Sequence, residues 1–288
     1  MTDKGLQSLP VVAFLRLIPS WMRGKGRLAQ WLLRGRLSSG GVEVADRIGF
    51  RYDAPSASEP VAFHLLISGA YEPEMVDFMR AQLLPGDVFV DVGANIGVYT
   101  LPCARAVGPE GRVLAIEASL TVIDCLRRNI AAAAARNVRA HFCAACDSDG
   151  EEMNFYEAPS THFGMGSMGP QFGRPPVKVA GRTLDSLLAQ EGIQKVRAMK
   201  VDVEGYEEKV FTGAEKLLRR PDAPLILFEF VDWAEKRAGL PPGSAQKKLL
   251  EYGYRIWKFE RYVRGGAPLE GMLTRGFSNL VASKSFRA

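Results

Sequence analysis

Val88-Phe89-Val90-Asp91-Val92-Gly93-Ala94-Asn95-Ile96-Gly97 is a short β-branched run that ends in a carboxylate and then breaks into a glycine-spaced turn. Preceded by the turn signal Pro85-Gly86-Asp87, it predicts a parallel strand buried on both faces. Gly93 and Gly97 let the backbone turn tightly and approach a ligand closely. Residues 98–106 continue as a helix whose N-terminus favours negative charge. Strand, tight turn and helix in that order predict a nucleotide-type cofactor site.

Asp91 separates the candidates for that site. A dinucleotide fingerprint, G-x-G-x-x-G, lays a pyrophosphate on the turn. Here the spacing is Gly93-x-Asn95-x-Gly97 without the third glycine, and Asp91 would repel a pyrophosphate. S-adenosylmethionine instead carries an ammonium and a sulfonium, which a carboxylate attracts. The charge argument favours the methyl donor; a dinucleotide and a purely structural strand-turn-helix remain open on these residues alone.

Outward from this stretch the chain alternates strand and helix. Further strands are predicted at 113–116, 138–145, 198–203, 225–228, 254–259 and 280–283, with an edge strand at 153–156. Helices are predicted over 73–83, 183–191 and 206–218, and another begins at a Ser119 or Thr121 cap and runs to Arg136-Asn137. The stretch 158–176 is rich in Gly, Pro and Met without period, and a loop of that length in a compact domain is usually functional or mobile. The pattern is a doubly wound α/β sheet whose ligands sit beyond the carboxyl ends of its strands. Upstream, Val42, Val44, Ile48, Phe50 and Tyr52 flank Asp46-Arg47 as a small hairpin, and 54–60 is a loop. The chain accordingly divides into a helical and hairpin extension, 1–60, and a catalytic domain, 61–288.

With 288 residues and 47% hydrophobic content the chain can bury a full core. Its net charge of +5 is uneven: the first 36 residues carry +6 and the rest −1. The body therefore gives no reason to expect a nucleic-acid groove, while the N-terminus offers a basic surface. Between residues 20 and 37, Trp21, Leu28, Trp31 and Leu32 share one helical face and Arg23, Arg27 and Arg34 lie opposite. Such a helix can pack on its own domain or attach peripherally to an anionic membrane through residues 1–37. The apolar piece 9–15 is too short to span a bilayer, so a cytoplasmic location, with peripheral contact at the inner membrane face as the variant, is expected. Cys103, Cys125, Cys143 and Cys146 lack the density of a disulfide scaffold and read as small buried side chains in a reducing compartment.

The chemistry collects at strand ends. Asp91, Glu117, Asp202 with Glu204, and Glu229 all fall at the same predicted edge, and ionised groups gathered there imply cations or hydroxyls to satisfy. Glu117, 24 residues after Gly93, is placed to accept from two ribose hydroxyls. In Met199-Lys200-Val201-Asp202-Val203-Glu204-Gly205 a period of two sets Lys200, Asp202 and Glu204 on one face. Asp202 is the leading proton acceptor or hydroxyl-orienting group, followed by Glu204, Glu229 and His162 of the long loop; a structural salt-bridge cluster is the competing account. No residue set at metal-ligand spacing stands out, because the donor already accounts for these carboxylates.

Four motifs stand in the order of one family: Gly69-Ala70-Tyr71-Glu72-Pro73, the run from Pro85 to Gly97, Arg182-Thr183-Leu184-Asp185-Ser186-Leu187, and Lys200-Val201-Asp202-Val203-Glu204-Gly205-Tyr206-Glu207. Over about 61–283 the chain resembles an FkbM-type methyltransferase of the class I S-adenosylmethionine-dependent fold. The resemblance implies a Rossmann-like seven-stranded sheet with an antiparallel last strand, and methyl transfer, most often to a hydroxyl of a sugar, glycan or other secondary metabolite. It implies a donor site of Asp91, Gly93, Asn95, Gly97, Glu117 and Ala118, with Ala145 and its neighbours beside adenine, Asp202 at the sulfonium and Glu72 supporting the pocket. The family commonly has Glu-Pro after its second strand where this chain has Glu117-Ala118. Rival expectations are a nucleic-acid methyltransferase, for which no Asn/Asp-Pro-Pro-aromatic motif follows the fourth strand, and a non-catalytic membrane-associated binding module.

Overall fold

A computed structural model describes residues 6–19, 22, 24–37 and 40–285. Its strands, in chain order, are β1 (Val42–Ala45), β2 (Arg51–Ala54), β3 (Val88–Val92), β4 (Arg112–Glu117), β5 (Val138–Phe142) and β6 (Ala144–Ala145). They continue as β7 (Glu152–Phe155), β8 (Val177–Arg182), β9 (Ala198–Val201), β10 (Leu225–Val231), β11 (Arg255–Lys258) and β12 (Phe277–Ser283). One seven-stranded sheet has the order β11-β12-β10-β9-β3-β4-β5, and β12 alone runs against its neighbours. This is the expected Rossmann-like sheet with its antiparallel last strand.

Alternation along β3 sets the layers. Phe89 packs into one apolar layer with Ile96, Leu101 and Leu126, while Val90 and Val92 enter the opposite layer with Met199, Phe211 and Phe228. Asp91 falls on the Phe89 side, so its carboxylate enters the layer beneath helix Thr100–Val107 rather than opening to solvent.

The N-terminal extension shares that first layer. Val12, Leu15, Leu33, Val42, Val44 and Tyr52 are buried in the same cluster as Phe89 and Leu126. The hairpin β1/β2 forms as predicted, and Asp46 closes it by accepting from the Ile48 and Phe50 amides at 3.0 and 2.8 Å. Buried Asn129 accepts from the Asp53 amide at 2.7 Å and donates to the Asp53 and Ile96 carbonyls at 3.1 and 2.9 Å, tying hairpin to cofactor turn.

Several local expectations change. The helix expected over 206–218 is two, Glu207–Thr212 and Glu215–Leu218. Gly213 lies against the Cys146 carbonyl, where a Cβ would collide, and the Asp185 carboxylate starts the second helix by accepting from Lys216 and Leu217 at 2.8 and 3.1 Å. The strand expected over 138–145 is divided at Cys143, its last residues joining β8 and β7 in a small sheet of order β6-β8-β7. β8 lies where no strand was expected, its alternation hidden by Lys178 and Gly181. In the extension the helix spans Lys25–Leu32 and buries Lys25 and Ala29, with Leu33 following; Leu28 and Trp31, expected on a packing face, are exposed. Trp21 and Arg23 lie outside the described residues. Among the described residues no helix is long and apolar enough to cross a membrane.

Candidate active site

A cleft lies beyond the carboxyl ends of β3, β4 and β9. Gly93 and Asn95 come from the turn after β3, Glu117 and Ala118 from the end of β4, and Ala145 from β6. Asp202 and Glu204 enter after β9, and Phe163, Gly164 and Met168 of the long loop complete the wall. Six of the residues expected at the donor site, Gly93, Asn95, Glu117, Ala118, Ala145 and Asp202, are thus brought together.

Backbone contacts hold this wall. Gly93 has φ +74°, and a Cβ there would run into the Asp202 carbonyl oxygen, so the turns after β3 and β9 touch directly. The Glu117 carboxylate accepts from the Asn95 amide at 2.9 Å through one oxygen and from the Ser119 amide at 2.8 Å through the other. Each oxygen keeps a lone pair for a further donor. Burial pushes this carboxyl up, and the two amides pull it back.

Beneath the cleft lies a buried charged layer. Asp91 is fully buried and does not line the cleft; its Oδ2 accepts from the Thr100 hydroxyl at 2.6 Å, and its Oδ1 has no hydrogen-bond partner among the described residues. Lys200, opposite Asp91 in the β3/β9 register, donates to the Gly93 carbonyl at 2.8 Å and pairs with Asp202 at 3.1 Å. Its ammonium also stands 5.4 Å from the Tyr99 ring centre. Glu72 accepts from the Tyr99 hydroxyl at 2.7 Å and lies outside the cleft wall, bracing rather than lining it.

The carboxylates at the far end come closer than sequence spacing suggests. β9 stops at Val201, so Asp202 and Glu204 belong to a turn rather than to one face of a strand. Pairing of β9 with β10 ends at Val201 and Phe228, and Glu229 is the next residue of β10. Glu229 is inside β10, paired with Asn279, rather than at its end. One oxygen each of Asp202, Glu204 and Glu229 lie within 4.8 Å of one another, a grouping that could hold a divalent cation. Burial, then the Asp202 charge, push Glu204 up to about 7, and Arg237, 3.7 Å away, pulls it down. Glu229 is pushed up by burial and then by Asp202 and Glu204. Glu207 braces the turn by accepting from the Val203 and Gly205 amides at 2.9 and 3.4 Å.

Five non-glycine residues among those described have positive φ, and three border this site: Glu72 at 44°, Asn95 at 52° and Glu204 at 56°. Backbone in that region is held by its surroundings and concentrates at functional sites.

His162 is not brought to the carboxylates. It is exposed, its Nδ1 is 3.0 Å from the Thr161 hydroxyl, and its ring lies beside Phe172. Two residues with no sequence signal do reach the site. Arg237 supplies a cation from the helix after β10, bonding Gln171 at 2.6 Å and the Glu204 carbonyl at 3.3 Å. Glu59 caps helix Pro60–Ser68 and abuts Gly164, where a Cβ would stand 2.9 Å from its carboxylate. The four cysteines are buried and free, and burial pushes the Cys143 thiol up to about 12, which leaves it unreactive.

These raised carboxyls predict how stability depends on pH. Glu59 and Glu204 titrate at about 7 and Glu207 at about 8, against an ordinary 4.5, so the folded chain keeps protons that the unfolded chain releases. Their contribution is fully present below the ordinary value and is lost as pH rises through about 7 to 8. The melting temperature of the ligand-free protein is expected to be roughly 5 °C or more higher at pH 6 than at pH 9. A melting temperature that rises over this interval would show these groups ionised in the folded state.

The family model described as the methyltransferase FkbM domain matches residues 91–256. Methyltransferase sdnD of Sordaria araneosa is 30% identical over 163 residues, which take in 46% of this chain and 62% of sdnD. Hexuronic acid methyltransferase AglP of Haloferax volcanii is 23% identical over 180 residues, 62% of this chain and 68% of AglP. Among solved structures, the O-methyltransferase TomG of Streptomyces achromogenes, in complex with S-adenosylmethionine, aligns at a TM-score of 0.42 and 16% identity over 74% of this chain and 79% of that one.

Proposed function

Because the chain belongs to the FkbM methyltransferase family, whose cofactor is S-adenosylmethionine, we propose that it methylates a hydroxyl oxygen of a sugar, glycan or other small hydroxylated acceptor. The observation that carries this reading is a cleft at the strand ends whose wall includes Glu117, Asp202 and Glu204, with Glu229 grouped beside the last two. Bound there, S-adenosylmethionine supplies an electrophilic methyl on a sulfonium, which leaves as S-adenosylhomocysteine.

The residues fit such a cation. Glu117 has lone pairs left for two ribose hydroxyls. Asp91, buried beneath helix Thr100–Val107 with one unpartnered oxygen, supports the ammonium end from below rather than from the wall. Ala145 and its neighbours give adenine an apolar edge.

Toward the acceptor, Asp202, paired with Lys200 at 3.1 Å, orients the hydroxyl, while Glu204 accepts the proton as the C–O bond forms. A base near 7 is well matched to neutral pH, and Glu229, crowded into its protonated form, adds a hydrogen-bond donor rather than a second base. The loop bearing Phe163 and Met168 keeps water from the methyl group, and most of the acceleration comes from alignment. The acidic far end repels a phosphate backbone, which favours a small or glycan acceptor over nucleic acid.

Calorimetric titration with S-adenosylmethionine tests the donor assignment. Wild type is expected to bind, and Glu117→Ala to bind at least about tenfold more weakly, since two charge-assisted hydrogen bonds to ribose are lost. Failure of wild type to bind would sink the proposal. Mass spectrometry of a cell extract incubated with isotopically labelled donor then identifies the acceptor by its gain of one methyl.

A further inference from the structure

The N-terminal extension presents an apolar surface that none of the described residues covers. Helix Pro10–Leu17 buries Val12 and Leu15 and turns Pro10, Ala13, Phe14 and Leu17 outward, with Phe14 54% and Leu17 83% exposed. Its one charge, Arg16, points inward: it donates to the carbonyls of Ala45, Leu65 and Leu66 at 2.8 to 3.0 Å. The outward stripe is therefore wholly apolar and rigidly seated. Lys25 is also turned inward, donating to the Ile18 carbonyl at 2.7 Å, and so joins the second helix to the end of the first. That second helix, Lys25–Leu32, exposes Leu28 and, at 69%, Trp31.

The charge around this surface has one sign. Between residues 6 and 42 there is no Asp or Glu, against Arg16, Arg23, Lys25, Arg27, Arg34 and Arg36. Arg27, Arg34 and Arg36 are exposed, and none has an ion-pair partner among the described residues. A second copy docked here would oppose arginine to arginine, and a polyphosphate would leave Phe14, Leu17 and Trp31 in water.

We propose that this face seats the protein on an anionic lipid surface, Phe14, Leu17, Leu28 and Trp31 entering the acyl boundary and Arg27, Arg34 and Arg36 meeting lipid phosphates. Buried apolar area and electrostatic attraction add in such binding, and an interfacial tryptophan suits the headgroup level. Two signals are present where either alone would bind weakly. The seat lies on helix Pro60–Ser68, whose N-terminal cap Glu59 abuts the cleft loop at Gly164. Methyl transfer would then take place beside the membrane.

The test is co-sedimentation of the full chain with two vesicle types: phosphatidylcholine alone, and phosphatidylcholine with roughly one-third phosphatidylglycerol. Wild type is expected to bind the anionic vesicles about 100-fold more tightly, a preference that about 0.5 M NaCl largely removes. The surface pair Leu17→Ser/Trp31→Ser is expected to lose at least about tenfold on anionic vesicles, and Arg27→Glu/Arg34→Glu to abolish the preference between the two types. Both variants change only exposed side chains and should keep the wild-type melting temperature, which confirms their fold. Equal, weak sedimentation of wild type with both vesicle types would overturn the proposal. So would self-association without lipid that Leu17→Ser/Trp31→Ser abolishes, which would assign the face to a second copy.

Discussion

Lys200→Met is expected to lower the stability of the protein by roughly 3–5 kcal/mol, measured as a shift in urea midpoint at unchanged m-value. The lysine is 7% exposed and stands between Asp91, its partner in the β3/β9 register, and Asp202, at 3.1 Å. Methionine fills a similar volume, so the loss comes from charge rather than from a cavity. Asp202 can turn toward water because its side chain is 38% exposed, whereas Asp91 is fully buried and cannot. The stranded Asp91 carboxylate therefore dominates. Adding Asp91→Asn in the Lys200→Met background should recover much of the loss, because it removes the stranded charge. A single-variant loss below about 1 kcal/mol would show that Asp91 is already protonated, and that the lysine does not hold it ionised.

Glu204→Gln is expected to reduce kcat about 10²- to 10⁴-fold, with donor affinity changed less than about tenfold. The amide keeps shape and volume but cannot take a proton. Wild-type turnover should rise with pH through a midpoint at or below about 7, since burial and Asp202 raise this carboxyl and a bound sulfonium would draw it down. The Gln variant should lose that limb of the profile. Asp202→Asn still offers an acceptor oxygen to the hydroxyl and should cost less than Glu204→Gln. The reverse order would move the base to Asp202, and near-normal turnover of Glu204→Gln would remove Glu204 from the mechanism.

The cofactor turn was legible in the sequence because its constraints are local. A β-branched run, a carboxylate and two spaced glycines fix a strand and a turn within ten residues, and β3 occupies Val88–Val92 as expected. Glu117 and Asp202 were legible because a parallel sheet forces successive strand ends to one edge. What escaped depends on contacts distant in sequence. Arg237 reaches Glu204 from another element, and nothing near it in the chain marks it. The carboxylate trio joins Glu229 of β10 to a turn that begins two residues earlier than the expected strand end, because the glutamate of the following helix, Glu207, captures the turn's amides. The orientation of helix Lys25–Leu32 was misread for a similar reason: Lys25 buries its charge on the Ile18 carbonyl, and hydrophobicity alone would put that position in solvent. His162 has the right chemistry in the right loop, and the loop turns it outward.

The left-handed backbone at Glu72, Asn95 and Glu204 sets robustness against turnover. Each side chain there costs about 1 kcal/mol relative to a conformation without a Cβ clash. Glycine would remove that cost at all three positions, and with it the Glu72 brace on the Tyr99 hydroxyl, the Asn95 side-chain oxygen that accepts from the Ile96 amide, and the proposed proton acceptor Glu204. Selection for heat tolerance alone would drift toward those substitutions and erase the chemistry. An engineer seeking a hardier enzyme should therefore leave these three residues alone and look instead to the exposed loops away from the cleft.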